Sequence, residues 1–273
     1  MRRIALQAPE GVRWMPDQYS GAGVLVLAGS SGRIDEDRAR VFAQLGCVAE
    51  SIRWFGGAGQ HDGPWEIPLE TFAERVENLA RTCDRVYIVG TSFGSEAALL
   101  TGAHVDAVSG VVAFAPSDVV WAGFDGTGHE TSHWTLDGTP LPYVPFDFDA
   151  HVPSDEPSFL PLYTASRVTY AHEVESASIP VERIRDLVLV AGGDDRVWPS
   201  VAQAERIRDR RQGCPFATTL VSHNIAGHRT LLPGESPVSS GRIMARGGTE
   251  EADRALGAQA WGTILDVLRP NGE

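Results

Sequence analysis

Apolar positions along this chain fall into two alternating textures. Short, largely apolar or β-branched runs at 24–28, 48–54, 85–89, 107–115, 187–191 and 216–221 predict buried strands. Between them lie segments of helical period. Residues 35–45 open with an acidic turn. Residues 69–81 place Leu69, Phe72, Ala73, Val76, Leu79 and Ala80 on one face. Helix formers follow at 95–100, and further helices are expected over 200–211 and 249–268. Strands that alternate with helices predict an α/β domain with a mostly parallel central sheet and helices on both faces. No internal repeat or low-complexity tract interrupts the pattern.

One stretch breaks the rhythm. Residues 118–178 are rich in Gly, Pro, Asp and aromatics, among them Trp121, Phe124, Trp134, Tyr143, Phe146, Phe148, Phe159, Tyr163 and Tyr170. Plain surface loop seldom carries so many rings. The expectation is a lid-like excursion over the active site, with Trp121, Trp134, Tyr143 and Trp198 shaping a substrate pocket. The blander alternative is that these rings pack the excursion onto the domain.

The junction at residues 85–100 brings in chemistry. A buried strand runs into Gly90-Thr91-Ser92-Phe93-Gly94 and then into a helix. A G-x-S-x-G pentapeptide alone is weak evidence. Set between strand and helix it predicts a nucleophile elbow, a turn so tight that glycines must flank the serine and Oγ is held at the C-terminal edge of the sheet. A serine nucleophile needs a general base and the base an orienting carboxylate, following in the order Ser, acid, His. The run 187–191 ends in Gly192-Gly193-Asp194-Asp195, and 216–221 leads through His223 and Gly227 to His228. Neighbouring aspartates on an extended segment diverge, so only one can orient the histidine. His223 lies nearly on the strand, whereas His228 follows a glycine in a loop free to fold back over Ser92. Backbone N–H groups of Phe93 and Ser30 are the expected oxyanion hole.

Composition narrows the chemistry further. All 23 basic residues are arginine, so Schiff-base, pyridoxal and P-loop lysine chemistry are excluded. A net charge of −13 argues against nucleic acid or an anionic membrane as partner. No apolar run of spanning length is present, the first residues lack a secretory pattern, and three widely spaced cysteines suit reduced thiols; a cytoplasmic protein is expected. His129-Glu130-Thr131-Ser132-His133 spells H-E-x-x-H, but its Gly, Asp and Pro flanks predict loop rather than the helix a zinc site requires. Neither a metal nor an organic cofactor is expected. Gly56-Gly57-Ala58-Gly59 has the wrong spacing for a dinucleotide site.

Several segments in order (24–32, 66–70, the elbow, 179–184, 192–200, 226–228 and 247–250) resemble the catalytic domain of the acyl-CoA thioesterase and bile acid-CoA:amino acid N-acyltransferase family, kin of the dienelactone hydrolases. The resemblance covers roughly 20–268 and implies a single α/β-hydrolase domain over 1–273. Its pattern of an acid shortly before proline points to Asp195 over Asp194, and its Gly-His pattern to His228 over His223. Ser92, Asp195 and His228 are then the implied catalytic residues. The larger members' N-terminal β-sandwich domain has no counterpart before residue 24. The transferases of the family resemble this chain but use cysteine at the elbow, so Ser92 tips the reading towards hydrolysis of a small-molecule thioester. Transfer of the acyl group to an amine or alcohol stays open, a carboxylesterase or lactonase is the same-fold alternative, and a non-catalytic binding protein on this scaffold is the alternative from a different class. A CoA substrate would need a local cationic patch in this acidic chain, and Arg33, Arg53, Arg196 and Arg229 lie on segments expected near the site mouth.

Overall fold

The alternation becomes an eight-stranded sheet. The structure, a computed structural model, describes residues 1–238 and 243–268. In chain order the elements are β1 (Arg2–Gln7), β2 (Glu10–Met15), β3 (Ala22–Leu27), α1 (Glu36–Gln44), β4 (Val48–Ile52), β5 (Ile67–Pro68), α2 (Glu70–Ala80), β6 (Arg85–Thr91), α3 (Phe93–His104) and β7 (Val108–Phe114). There follow β8 (Ala122–Phe124), β9 (Glu130–Ser132), β10 (Trp134–Leu136), β11 (Thr139–Pro140), α4 (Leu160–Thr169), β12 (Asp186–Gly192), α5 (Ser200–Arg210), β13 (Thr218–His223) and α6 (Glu250–Leu268).

The main sheet has the order β1-β2-β4-β3-β6-β7-β12-β13. From β4 to β13 neighbouring strands pair in parallel, while β1 and β2 form an antiparallel hairpin laid antiparallel on β4. This is the α/β-hydrolase fold. After β3 the chain builds outward to β4, then returns to place β6 on the other side of β3. That reversal opens a crevice at the C-terminal ends of β3 and β6, where ligands of open α/β sheets bind.

Strand alternation divides the core in two. Val24, Val26, Val89, Val112, Phe114, Val188 and Val190 face α1 and α6. Leu25, Leu27, Ile88, Val111, Ala113, Leu187 and Leu189 face the other side, with α2, α3, α5 and much of the excursion. Helix α3 is buried along its whole length except His104, because it enters beneath both sheet and excursion. Helix α6 instead buries a stripe of Ala252, Leu256, Ala260, Ile264 and Leu268.

The excursion is structured. Strand β10 pairs with β5 in parallel and with β11 antiparallel, and β8 pairs with β9. Buried Asp118 at its start takes Arg167 of α4 at 2.7 Å and Arg206 of α5 at 3.1 Å. Among the described residues, no helix is long and apolar enough to cross a membrane.

Candidate active site

Ser92 sits between β6 and α3 at φ 57°, ψ −127°, a region that non-glycine residues avoid. Its N–H donates to the carbonyl of Phe114 on β7 at 3.0 Å, which holds the strained turn in place. The two elbow glycines are required by close approach. A Cβ on Gly90 would stand 2.1 Å from the Gly94 carbonyl oxygen, and one on Gly94 would stand 2.3 Å from that of Ala28. The turn therefore packs backbone against backbone with Ser92 at its apex.

Asp195 follows β12 and is buried. Its Oδ1 accepts the N–H groups of Val197 and Trp198 at 2.8 and 3.2 Å. Oδ2 accepts the Ser200 hydroxyl and, at 2.7 Å, Nδ1 of His228. Backbone and hydroxyl donors thus fix the carboxylate, and the carboxylate fixes the imidazole in the tautomer that leaves Nε2 able to accept a proton. His228 is itself buried, donates its backbone N–H to the Arg246 carbonyl at 2.9 Å, and stands edge-on to Trp198 with ring centroids 5.7 Å apart.

Asp194 faces the other way. It accepts the Gly248 N–H at 2.8 Å and Arg196 Nε at 3.1 Å. Those two donors, Gly248 foremost, hold its carboxyl below the ordinary carboxylate range. The consecutive aspartates, which lie in the turn after β12 rather than on an extended segment, thus contact different parts of the chain. His223 ends β13 and lies outside the cavity that holds Ser92.

That cavity, about 670 Å³, is bounded by Ser92, His228, Phe93, Ser30, Phe159 and Tyr163 among others. Phe93 is the first residue of α3, so its N–H has no acceptor within the helix and lies at the positive end of the dipole. Ser30 follows β3, where Gly32 N–H closes a turn on Gly29 O at 2.9 Å. The structure therefore brings Ser92, His228, Phe93 and Ser30 to one cavity, with Asp195 directly behind His228.

The expected pocket aromatics are elsewhere. Trp121, Trp134 and Trp198 are at most 1% exposed, and neither they nor Tyr143 border the cavity. Trp134 packs on Trp54 and Phe72 at 5.3 and 5.9 Å, because β10 runs beneath the excursion to pair with β5. Its indole N–H donates to Glu96 at 2.9 Å. Trp121 stacks on Phe146, and Trp198 underlies Phe93 and His228. The blander alternative, rings that pack the excursion down, describes Trp121 and Trp134; Trp198 lies beyond the excursion, after Asp195, and Phe159 and Tyr163 supply the excursion's aromatic wall of the cavity.

The H-E-x-x-H segment is extended: Glu130–Ser132 forms β9. Four residues along a strand set His129 and His133 far apart, unlike one helical turn. His133 is buried against Phe93, with ring centroids at 4.0 Å, and donates Nδ1–H to the Trp121 carbonyl at 2.9 Å. Burial lowers its pKa to about 4. Glu130 instead accepts the Phe146 N–H at 2.9 Å.

Two supports escape sequence reasoning. Arg38 of α1 is buried and binds Glu235 in bidentate fashion at 2.5 and 2.9 Å, the Thr230 carbonyl at 2.8 Å and the Thr91 hydroxyl at 2.7 Å. It therefore ties the segment after His228 to the residue before Ser92. Asp253 of α6 accepts the Gly227 N–H at 2.7 Å, which anchors the other side of His228. The helical period of α1 does place Arg38 near Ala39 and Phe42 on the buried side, the only signal available.

The family described as BAAT / Acyl-CoA thioester hydrolase C terminal matches residues 67–269. Among solved structures, a dienelactone hydrolase from Anabaena variabilis is similar at 15% identity and TM-score 0.53, covering 98% of this chain and 99% of its own. A protein titled m3DLH is similar at 18% identity and TM-score 0.54, covering 100% and 98%. A puromycin hydrolase S511A mutant complexed with PGG is similar at 17% identity and TM-score 0.54, covering 96% of this chain and 39% of that one. No curated protein sequence matches significantly.

Proposed function

Because the chain belongs to the BAAT / acyl-CoA thioester hydrolase C-terminal family and has the α/β-hydrolase fold, we propose that it is a serine-dependent acyl hydrolase that cleaves a thioester through an acyl-serine intermediate. The observation that carries this reading is the Asp195–His228 hydrogen bond at 2.7 Å, presented to the same cavity as a strained Ser92.

In this reading His228 Nε2 takes the proton of Ser92 Oγ as the oxygen attacks the acyl carbonyl. The tetrahedral oxyanion is received by the N–H groups of Phe93 and Ser30. Collapse breaks the carbon–sulfur bond, and His228 returns its proton to the departing thiolate. A water then enters, loses a proton to His228 and attacks the acyl-serine; collapse releases the acid and restores Ser92. Asp195 stays ionised throughout and stabilises the imidazolium formed in each half-reaction. Every proton is carried by side chains of this chain.

Thiol release from a panel of acyl-CoAs by wild type and Ser92→Ala tests the proposal. The expected result is release that disappears in the variant. Ser92-dependent cleavage of aryl esters or lactones with no thiol release from any acyl-CoA would overturn the thioester assignment in favour of an esterase or lactonase. Adding amines to the same assay reports transfer to an acceptor other than water.

A further inference from the structure

The central sheet ends differently on its two sides. Strand β1, at one edge, carries Arg2 and Arg3, and Arg3 binds Glu36 at 2.6 Å. Charges on an edge strand discourage another chain from adding to it. Strand β13, at the other edge, reads Thr-Thr-Leu-Val-Ser-His, with no proline, no acid and no arginine. It lies in the chain's longest run without Asp, Glu or Arg, the 17 residues 212–228. The next longest, 18–32, contains β3, which is buried throughout. The run at β13 is instead largely on the surface, and Phe216 at 41% and Ile225 at 63% exposure flank the strand.

Backbone hydrogen bonds fix which groups of β13 point outwards. Leu187 N–H donates to the Ala217 carbonyl at 3.0 Å, and Gly193 N–H donates to that of His223 at 2.9 Å. In a parallel ladder the N–H and C=O of one residue point to the same side, and the side alternates along the strand. Residues 217, 219, 221 and 223 therefore turn towards β12. Thr218, Leu220 and Ser222 turn their N–H and C=O groups away from the sheet. Among the described residues, β12 is the one strand paired with β13. Helices α5 and α6 cover the two faces of the sheet, with Ala204 and Ile207 on one side and Leu256 and Ala260 on the other.

We propose that β13 is a self-association edge, on which a second copy of this chain pairs its own β13 antiparallel about a two-fold axis through Leu220. The outward residues make the edge self-complementary. Leu220 faces Leu220 of the second copy and exchanges two hydrogen bonds with it, while Thr218 faces Ser222 at both ends. Every outward N–H then meets an outward carbonyl, and none is left over. A two-fold axis normal to the sheet sets side chains of the same face opposite each other, so the in-and-out alternation continues from one copy into the next. Antiparallel pairing also brings Phe216, at the start of one strand, beside Ile225, at the end of the other. An edge without charges is where two molecules of net charge −13 approach with least repulsion. A strand pair with two apolar ends buries less than a standard interface of about 1,200–2,000 Å², so a reversible dimer dissociating in the micromolar range is expected. This association goes beyond the hydrolase reading and does not depend on it.

Sedimentation velocity of the full chain at about 1 to 200 µM measures the association, and wild type is expected to pass from monomer to dimer across that range. Ser222→Pro removes an outward N–H that no internal hydrogen bond uses, so the edge strand tolerates it while the second copy is blocked. Ser222→Lys sets a charge opposite Thr218 of the second copy, whose hydroxyl is held by Arg211 at 2.6 Å. Both variants are expected to weaken the dimer about tenfold or more while circular dichroism of the dilute protein stays that of wild type. Oxidative cross-linking reads the register, with Cys214→Ser added throughout to remove the partly exposed thiol. Leu220→Cys should give a covalent dimer, since facing Cα atoms in such a pair stand about 5.5 Å apart. Ser222→Cys should not, because its two copies lie about 14 Å apart along the strands. A wild type that stays monomeric throughout overturns the proposal, whether the edge is then bare or takes a strand from a different protein. A dimer left intact by the folded Ser222 variants overturns it too. So does cross-linking of the Ser222→Cys protein and not of the Leu220→Cys protein.

Discussion

The Gly94 carbonyl oxygen occupies the space in which a side chain on Gly90 would begin, 2.1 Å from the position of its Cβ. Because the obstacle is backbone at the start of α3, it cannot swing aside as a flexible side chain would. Gly90→Ala is expected to displace the elbow and cost about 3 kcal/mol in stability. Urea unfolding checks the stability, and a serine-reactive fluorophosphonate probe checks whether Ser92 still presents its hydroxyl.

The two adjacent aspartates should separate cleanly under substitution. Asp195→Asn keeps the size of a side chain that receives four donors but removes the charge facing His228. It is expected to lower kcat roughly 10³–10⁴-fold with a smaller change in KM. Asp194→Asn touches Gly248 and Arg196 instead and is expected to leave kcat within about tenfold. Steady-state kinetics on one substrate, with both variants side by side, makes the comparison. Equal losses would show that the geometry around His228 does not decide activity.

Arg38 and Glu235 form a buried pair, and removing one member strands the other. Arg38→Met is expected to cost about 3–5 kcal/mol, while Arg38→Met with Glu235→Leu should recover much of that loss. Denaturant unfolding of the singles and the double gives the coupling. Recovery of stability without recovery of activity would assign the pair's functional part to the link between Thr91 and Thr230.

Two buried groups near Ser92 set opposite pH limits on stability. His133, lowered to about 4 by burial, binds its proton less readily folded than unfolded. Stability is therefore lost as pH falls from about 6.5 towards 4, by a total on the order of 3 kcal/mol. Glu96 is raised well above the ordinary carboxylate range by burial, and its Oε1 has no hydrogen-bond partner among the described residues. The folded protein holds that proton more tightly, so stability is lost as pH rises above the unfolded value near 4.5. Glu96→Gln should remove the alkaline loss, and its advantage over wild type should grow with pH. Thermal melts from pH 4 to 9 test both signs.

Much of the frame was legible because it rests on long-period signals. The six core parallel strands, their intervening helices and the elbow follow from apolar runs and a motif placed between strand and helix. Errors occur where the signal is local or tertiary. The expected strand at 216–221 is observed as Thr218–His223, since Phe216 is 41% exposed and the edge strand buries little. The β1–β2 hairpin was not legible: Arg2–Gln7 half-buries only alternate residues, too weak a period beside its charges. Strands β8–β11, two or three residues each, fall below any period. The tryptophans of the excursion were read as a pocket because composition places rings in a segment without saying which way they point. Asp195 and His228 were separated from their neighbours by family pattern, whereas the hydrogen bonds that distinguish them here lie across 33 residues of chain.

Ser92 rides on β6, while Asp195 and the approach to His228 follow β12 and β13, and one strand, β7, lies between the two groups. Asp195 and His228 are hydrogen-bonded to each other, whereas Ser92 is held to them only across β7 and through Arg38. The spacing between the two groups is set by the pairing of β7 with β12 and by Arg38, which joins Thr91 to Thr230. Loosening the β7–β12 seam should abolish activity while the Asp195–His228 hydrogen bond stays intact. Activity followed alongside total tryptophan fluorescence in a urea titration is expected to fall first.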